Sequence, residues 1–215
     1  CFWSKTGDRD YANQPAPAAG EGVWLAHAQA GGSQIGWQID IGAEAGACRF
    51  VLVNNVDAVQ VARFTMPPPG WTHVGLVWDY NGGNPILSVY YNAILQFVEN
   101  SMSGLATAGL GSSGLTAISF GSRAGTAEPS QATFGGYCRY WASALSATEI
   151  ANDFNNGRPQ DYASSTVTAP DSLTLWGNGP TDTATTFEDQ TANNNDMSRV
   201  GTTDYLTNWD PCRLV

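Results

Sequence analysis

Between Trp71 and Leu95 the chain alternates apolar and polar positions in two runs. Val74, Leu76 and Trp78 fall on one face of the first run, and Leu87, Val89 and Tyr91 are in phase in the second. Asp79-Tyr80-Asn81-Gly82-Gly83-Asn84-Pro85 between them is dense in residues that reverse a chain. The pattern predicts two antiparallel strands joined by a turn.

Similar short runs recur on both sides. Phe2 to Lys5 reads as the tail of a strand, followed by a polar Pro/Ala/Gly-rich loop from Gly7 to Gly22. Val23 to Ala26 is a short apolar strand. Gln34 to Ile41 alternates with Ile35, Trp37, Ile39 and Ile41 on one face. Arg49 to Asn54 and Ala58 to Thr65 give two more strands, the second closed by Pro67-Pro68-Pro69. Leu115 to Gly121 follows a Gly/Ser/Ala-rich link from Ser101 to Gly114. Short strands separated by turns at this spacing predict an all-β sandwich or jelly roll.

One segment breaks the β pattern. Phe134 to Trp141 begins as a strand, and Ser146-x-x-Glu149 then supplies a capping box for a helix. Ile150 and Phe154 lie four residues apart on one helical face. Asn156-Gly157, ahead of Pro159, marks the expected end.

The run Trp71-x-His73-Val74-x-Leu76-x-Trp78-Asp79, its Gly-rich turn and the following Tyr91-Asn92-Ala93-Ile94-Leu95 resemble the central hairpin of concanavalin A-like, laminin-G/pentraxin-type jelly rolls. Ala93 stands where that family prefers glycine. The Phe120-Gly121-Ser122-Arg123 strand end and the Ala144-Leu145-Ser146 turn before Glu149-Ile150 are similar to the family's closing motifs. The matches span about residues 2–159. In the tail, Leu173-Thr174-Leu175-Trp176 and the Asn/Asp-rich stretch after Thr186 resemble a block that opens many such domains. The resemblance implies a two-sheet antiparallel jelly-roll sandwich with one short helix in its C-terminal half. It is read as a single domain over 1–215, with 160–215 completing the sandwich; the alternative is that the tail starts a next repeat. Neighbouring strands for Cys1 and Cys138 are also implied, favouring disulfides Cys1–Cys138 and Cys48–Cys212, with buried thiols as the alternative.

Composition narrows the function classes. The 215 residues suffice for one large β domain or two small ones. Nine Lys and Arg against 19 Asp and Glu give a formal net charge of −10, which repels nucleic-acid phosphates. No apolar run approaches the roughly 18 residues that a membrane-spanning helix needs. The four cysteines are far apart, without the paired spacing of a zinc motif.

Catalytic patterns are sparse. A retaining glycosidase holds two carboxylates roughly 5 Å apart, and alternate residues of one strand do this in the family's hydrolases. Here Glu188 and Asp189 are adjacent, Glu149 and Asp153 belong to the helix, and Glu44, Glu99 and Glu128 are isolated. His73 sits where the family uses a structural hydrogen bond within the hairpin, and no Gly-x-Ser-x-Gly elbow is present. The expectation is a protein that is not an enzyme.

Binding chemistry is more open. Asp79, Asn81 and Asn84 form one oxygen-rich loop, and Asp189, Asn193, Asn195 and Asp196 another, the donor type hard Ca²⁺ prefers. Such residues are also ordinary turn formers. Tyr80, Tyr137, Tyr140, Trp141 and Trp209 are the aromatics placed to meet a ligand at the surface. The resemblance implies a non-catalytic binding or adhesion domain of an extracellular or virion surface, with a glycan as the leading ligand. The other reading is a structural module that docks neighbouring protein subunits of a virion, phage tail or similar assembly.

Overall fold

The computed structural model describes residues 1–6, 25–30, 34–41, 47–53, 59–65, 67–68, 70–79, 86–100, 115–119, 133–135, 138–141, 143–157, 170, 172–174, 186–187, 191–192 and 197–198. In chain order the first strands are β1 (Phe2–Thr6), β2 (Leu25–Ala30), β3 (Gln34–Ile41), β4 (Ala47–Val53), β5 (Val59–Thr65), β6 (Gly70–Asp79) and β7 (Ile86–Tyr91). They are followed by β8 (Ile94–Glu99), β9 (Leu115–Ser119), β10 (Thr133–Gly135), β11 (Cys138–Tyr140), helix α1 (Ala147–Phe154), β12 (Ser172–Thr174), β13 (Thr186–Phe187) and β14 (Met197–Ser198). These residues are mostly antiparallel strand, with one short helix.

One sheet has the order β10-β1-β6-β7-β8. The alternation read from the sequence sets its centre: Val74 faces Tyr91, Leu76 faces Val89, and Trp78 faces Leu87. Directly opposed residues share a face, so these six side chains form one apolar surface. Val74, Leu87 and Val89 are fully enclosed. The expected two-strand hairpin is in fact three strands. Tyr91 ends β7, Asn92 and Ala93 turn with positive φ of 49° and 66°, and β8 returns. Two successive residues of positive φ match the tight turns whose twist suits a hairpin.

The other large sheet has the order β5-β4-β3-β2-β9. Among the described residues it touches the first through tilted ring pairs and a side-chain hydrogen bond. Phe50 of β4 lies 6.1 Å from Trp78, and Phe64 of β5 lies 6.0 Å from Phe97 of β8. The Tyr91 hydroxyl donates to the Thr65 carbonyl of β5. Offset rings at these spacings add attraction beyond their burial.

The Phe134–Trp141 region is two strands rather than one. β10 pairs with β1 in the first sheet, while β11 pairs with β12 from the tail. The backbones of Cys1 and of Arg139 in β11 exchange two hydrogen bonds of 2.8 Å. That register sets Arg139, not Cys138, opposite Cys1. The Cys1–Cys138 pairing is therefore not between directly opposed residues, and Cys212 lies outside the described residues.

Helix α1 starts as its sequence dictates. Glu149 N–H donates to Ser146 Oγ at 3.3 Å, and the Glu149 carboxylate accepts from the Ser146 backbone N–H at 2.8 Å. The helix stops earlier than expected. Asn155, at φ 46°, is the left-handed cap, and Asn156 repeats that conformation at 52°. Asparagine tolerates this region because its side chain can bond locally.

Candidate functional site

β6 is the middle strand of its sheet and is buried on both faces, from Thr72 through Gly75 and again at Val77. Its second face carries His73, Gly75 and Val77. Trp3 of β1 stands opposite His73 in the register, and Tyr90 of β7 stands opposite Gly75. Helix α1 covers this face. Ile150 packs with Val77, Tyr90 and Leu145, and Cys1 and Trp141 lie against the same cluster. The helix approaches closely because residue 75 has no side chain: a Cβ there would meet Ile150 Cγ2 at 3.3 Å.

Beside that contact lies a buried polar group drawn from three elements. His73 Nε2 is 3.0 Å from Asp153 Oδ2, and Arg139 Nη1 of β11 is 3.2 Å from the other oxygen, Oδ1. His73 and Asp153 are completely enclosed. Trp3 and Phe154 wall the imidazole, with ring centroids 5.4 and 5.6 Å from it. The His73 backbone is clamped as well: its N–H donates to Asn92 Oδ1, and its carbonyl accepts from the Asn92 N–H, both at 2.9 Å.

Burial pushes the His73 pKa down from 6.5 to about 4. The bond to Asp153 opposes this, and the Arg139 charge reinforces it. The ring is therefore neutral at physiological pH, with Nε2–H donating to the carboxylate. Its Nδ1 is buried without a hydrogen-bond partner among the described residues. Arg139 supplies the positive charge that lets a carboxylate sit in this enclosure. Cys1, half-buried, completes the cluster: its Sγ, a ring nitrogen of His73 and a carboxylate oxygen of Asp153 lie within 4.8 Å of one another. A thiol, an imidazole and a carboxylate in one place can exchange protons or share a soft metal ion.

None of the residues singled out from the sequence as ligands is a member of this polar group. Asp79 is exposed at the end of β6. Tyr140 is exposed at the end of β11, and Trp141 is half-buried against the Ile150 cluster rather than presented to solvent. Asn81, Asn84, Asp189, Asn193, Asn195, Asp196, Tyr80, Tyr137 and Trp209 fall outside the described residues. His73 is structural in its bonding, but its side chain reaches across to α1 instead of bonding within the hairpin.

Asp153, Arg139 and Cys1 were not legible as partners of His73. A signal exists in retrospect. Asp153 sits between Ile150 and Phe154 on the apolar side of the helix, and Arg139 is a lone charge between Cys138 and Tyr140. Single charges inside apolar runs, in a chain with 13% charged residues, mark buried pairs. No family model and no curated protein matches the chain.

Proposed function

We propose that the chain is a concanavalin A-like jelly-roll module whose work is non-catalytic binding or adhesion at an extracellular or virion surface, with a glycan as ligand. The observation that carries this reading is the exposed Tyr140, 40% accessible, at the end of β11 beside Trp141. A tyrosine held on a strand end offers a sugar ring a flat apolar face and a polar rim. The antiparallel sheets and the paired strand faces of β6 and β7 agree with the proposed architecture. Calcium is the proposed accessory ion, and exposed Asp79 is its first oxygen donor.

A glycan-array screen of the folded chain, with and without chelator, tests this. Binding that falls when Tyr140→Ala is introduced supports it, and loss with chelator adds the calcium. A blank array from folded protein sinks it.

A second reading, a structural module that docks a protein neighbour, draws on a different observation. Ile94, Leu95 and Val98 of β8 are 66%, 50% and 47% exposed, and β8 ends its sheet. Exposed apolar side chains on a sheet edge are a surface that protein partners use.

A further inference from the structure

We propose that Cys1, His73 and Asp153 bind a single zinc-class transition-metal ion that ties β1, β6 and α1 together. The three donors lie within 4.8 Å of one another. A thiolate, an imidazole and a carboxylate are the ligand types that zinc takes, and the first two do not suit calcium. It shares no residue with the calcium and glycan readings above.

The geometry is close to what the ion requires. Tetrahedral bonds of roughly 2.0–2.1 Å to nitrogen and oxygen set those two atoms about 3.3 Å apart. His73 Nε2 and Asp153 Oδ2 already stand at 3.0 Å. The longer sulfur bond, about 2.3 Å, comes from Cys1, the least enclosed of the three residues. Arg139 holds Oδ1 and so aims the carboxylate, the service that outer-shell partners give to metal ligands. The His73 ring has a second nitrogen, Nδ1, buried and without a hydrogen-bond partner among the described residues.

The protons balance. The Cys1 thiol loses its proton to solvent as sulfur bonds the metal. The proton on His73 Nε2 moves to Nδ1, freeing the Nε2 lone pair. A divalent ion, the new thiolate, Asp153, Arg139 and the Cys1 ammonium then sum to two positive charges, one of which is offset when a water in the fourth position gives a proton to solvent and becomes hydroxide.

The test is a Co²⁺ titration of the metal-stripped full chain. One equivalent should bind with a thiolate-to-cobalt charge-transfer band, and Zn²⁺ should displace it. Cys1→Ser should abolish the band and weaken Zn²⁺ binding by about tenfold or more. Changing His73 or Asp153 risks unfolding, so a second arm uses the unaltered protein: Zn²⁺ should slow alkylation of Cys1, followed by mass spectrometry, more than that of Cys48, Cys138 or Cys212. No band from folded protein, or a band that survives Cys1→Ser, overturns the proposal. So does a Cys1 whose alkylation is the same with and without Zn²⁺.

Discussion

Ala93 holds a left-handed φ of 66° in the turn between β7 and β8, next to Asn92 at 49°. A β-carbon in that region costs roughly 1–2 kcal/mol, and glycine avoids the clash while losing more freedom on folding. Ala93→Gly should therefore stabilise the protein by about 0.5–1 kcal/mol, read from the urea midpoint. His73 gives a prediction of the opposite kind. Its folded pKa of about 4 lies below the unfolded 6.5, so the unfolded chain binds the proton more readily. The stability of the neutral ring is full above pH 6.5 and is lost as pH falls through about 4, amounting to about 3 kcal/mol. In chelator-treated protein the His73 ring resonances should stay constant from pH 8 to about pH 5; a midpoint near 6.5 would put the ring in water. The family resemblance alone placed a glycine preference at residue 93, and the left-handed φ there supplies a physical reason for it. The sequence could not place the partner of His73, because Asp153 is 80 residues away and no local pattern joins them.

At the level of elements, α1 rests on two features with different physics. Its start is a reciprocal cap, in which the bonds from the Ser146 backbone and hydroxyl hold the Glu149 carboxyl below its ordinary pKa. Ser146→Ala should cost about 1 kcal/mol, and an unchanged melting temperature would mean that the cap does not hold the helix. Its seat is Gly75, where any β-carbon presses on enclosed Ile150. Gly75→Val should cost about 1–3 kcal/mol through overpacking; a neutral result would show that the helix can lift without loss. The cap was legible because Ser-x-x-Glu carries its own geometry. The register of β6 against β7 came only with the structure, but their inward faces were legible, since period-two burial fixes which residues share a side. The far face of β6 was not, because His73, Gly75 and Val77 have no shared hydropathy. What unites them is the helix laid over them. β8 was hidden by the same logic: its exposed Ile94, Leu95 and Val98 break the inward-outward rhythm.

Over the whole molecule, strands distant in sequence close on one another. β12 of the tail pairs with β11, which in turn meets Cys1. Deleting residues 160–215 strips that pairing and leaves β11 as an open edge. The truncated chain should lose cooperative unfolding or aggregate; a sharp, undiminished melt would show that the tail is a separate unit. All-β character was legible from strand spacing alone, whereas the split of residues 133–140 between β10 and β11 was not, since both strands are three residues long. The same long-range closure has a consequence for a chain still being made. β6 and β7 can zip as soon as their turn leaves the ribosome, yet His73 has no carboxylate to meet until Asp153 has been added, and Cys1 meets Arg139 only 138 residues after it was made. Synthesis at about 5–20 residues per second leaves the imidazole side of the central strand bare for several seconds. The nascent protein thus passes through a stage with one face of its sheet finished and the other waiting for its lid.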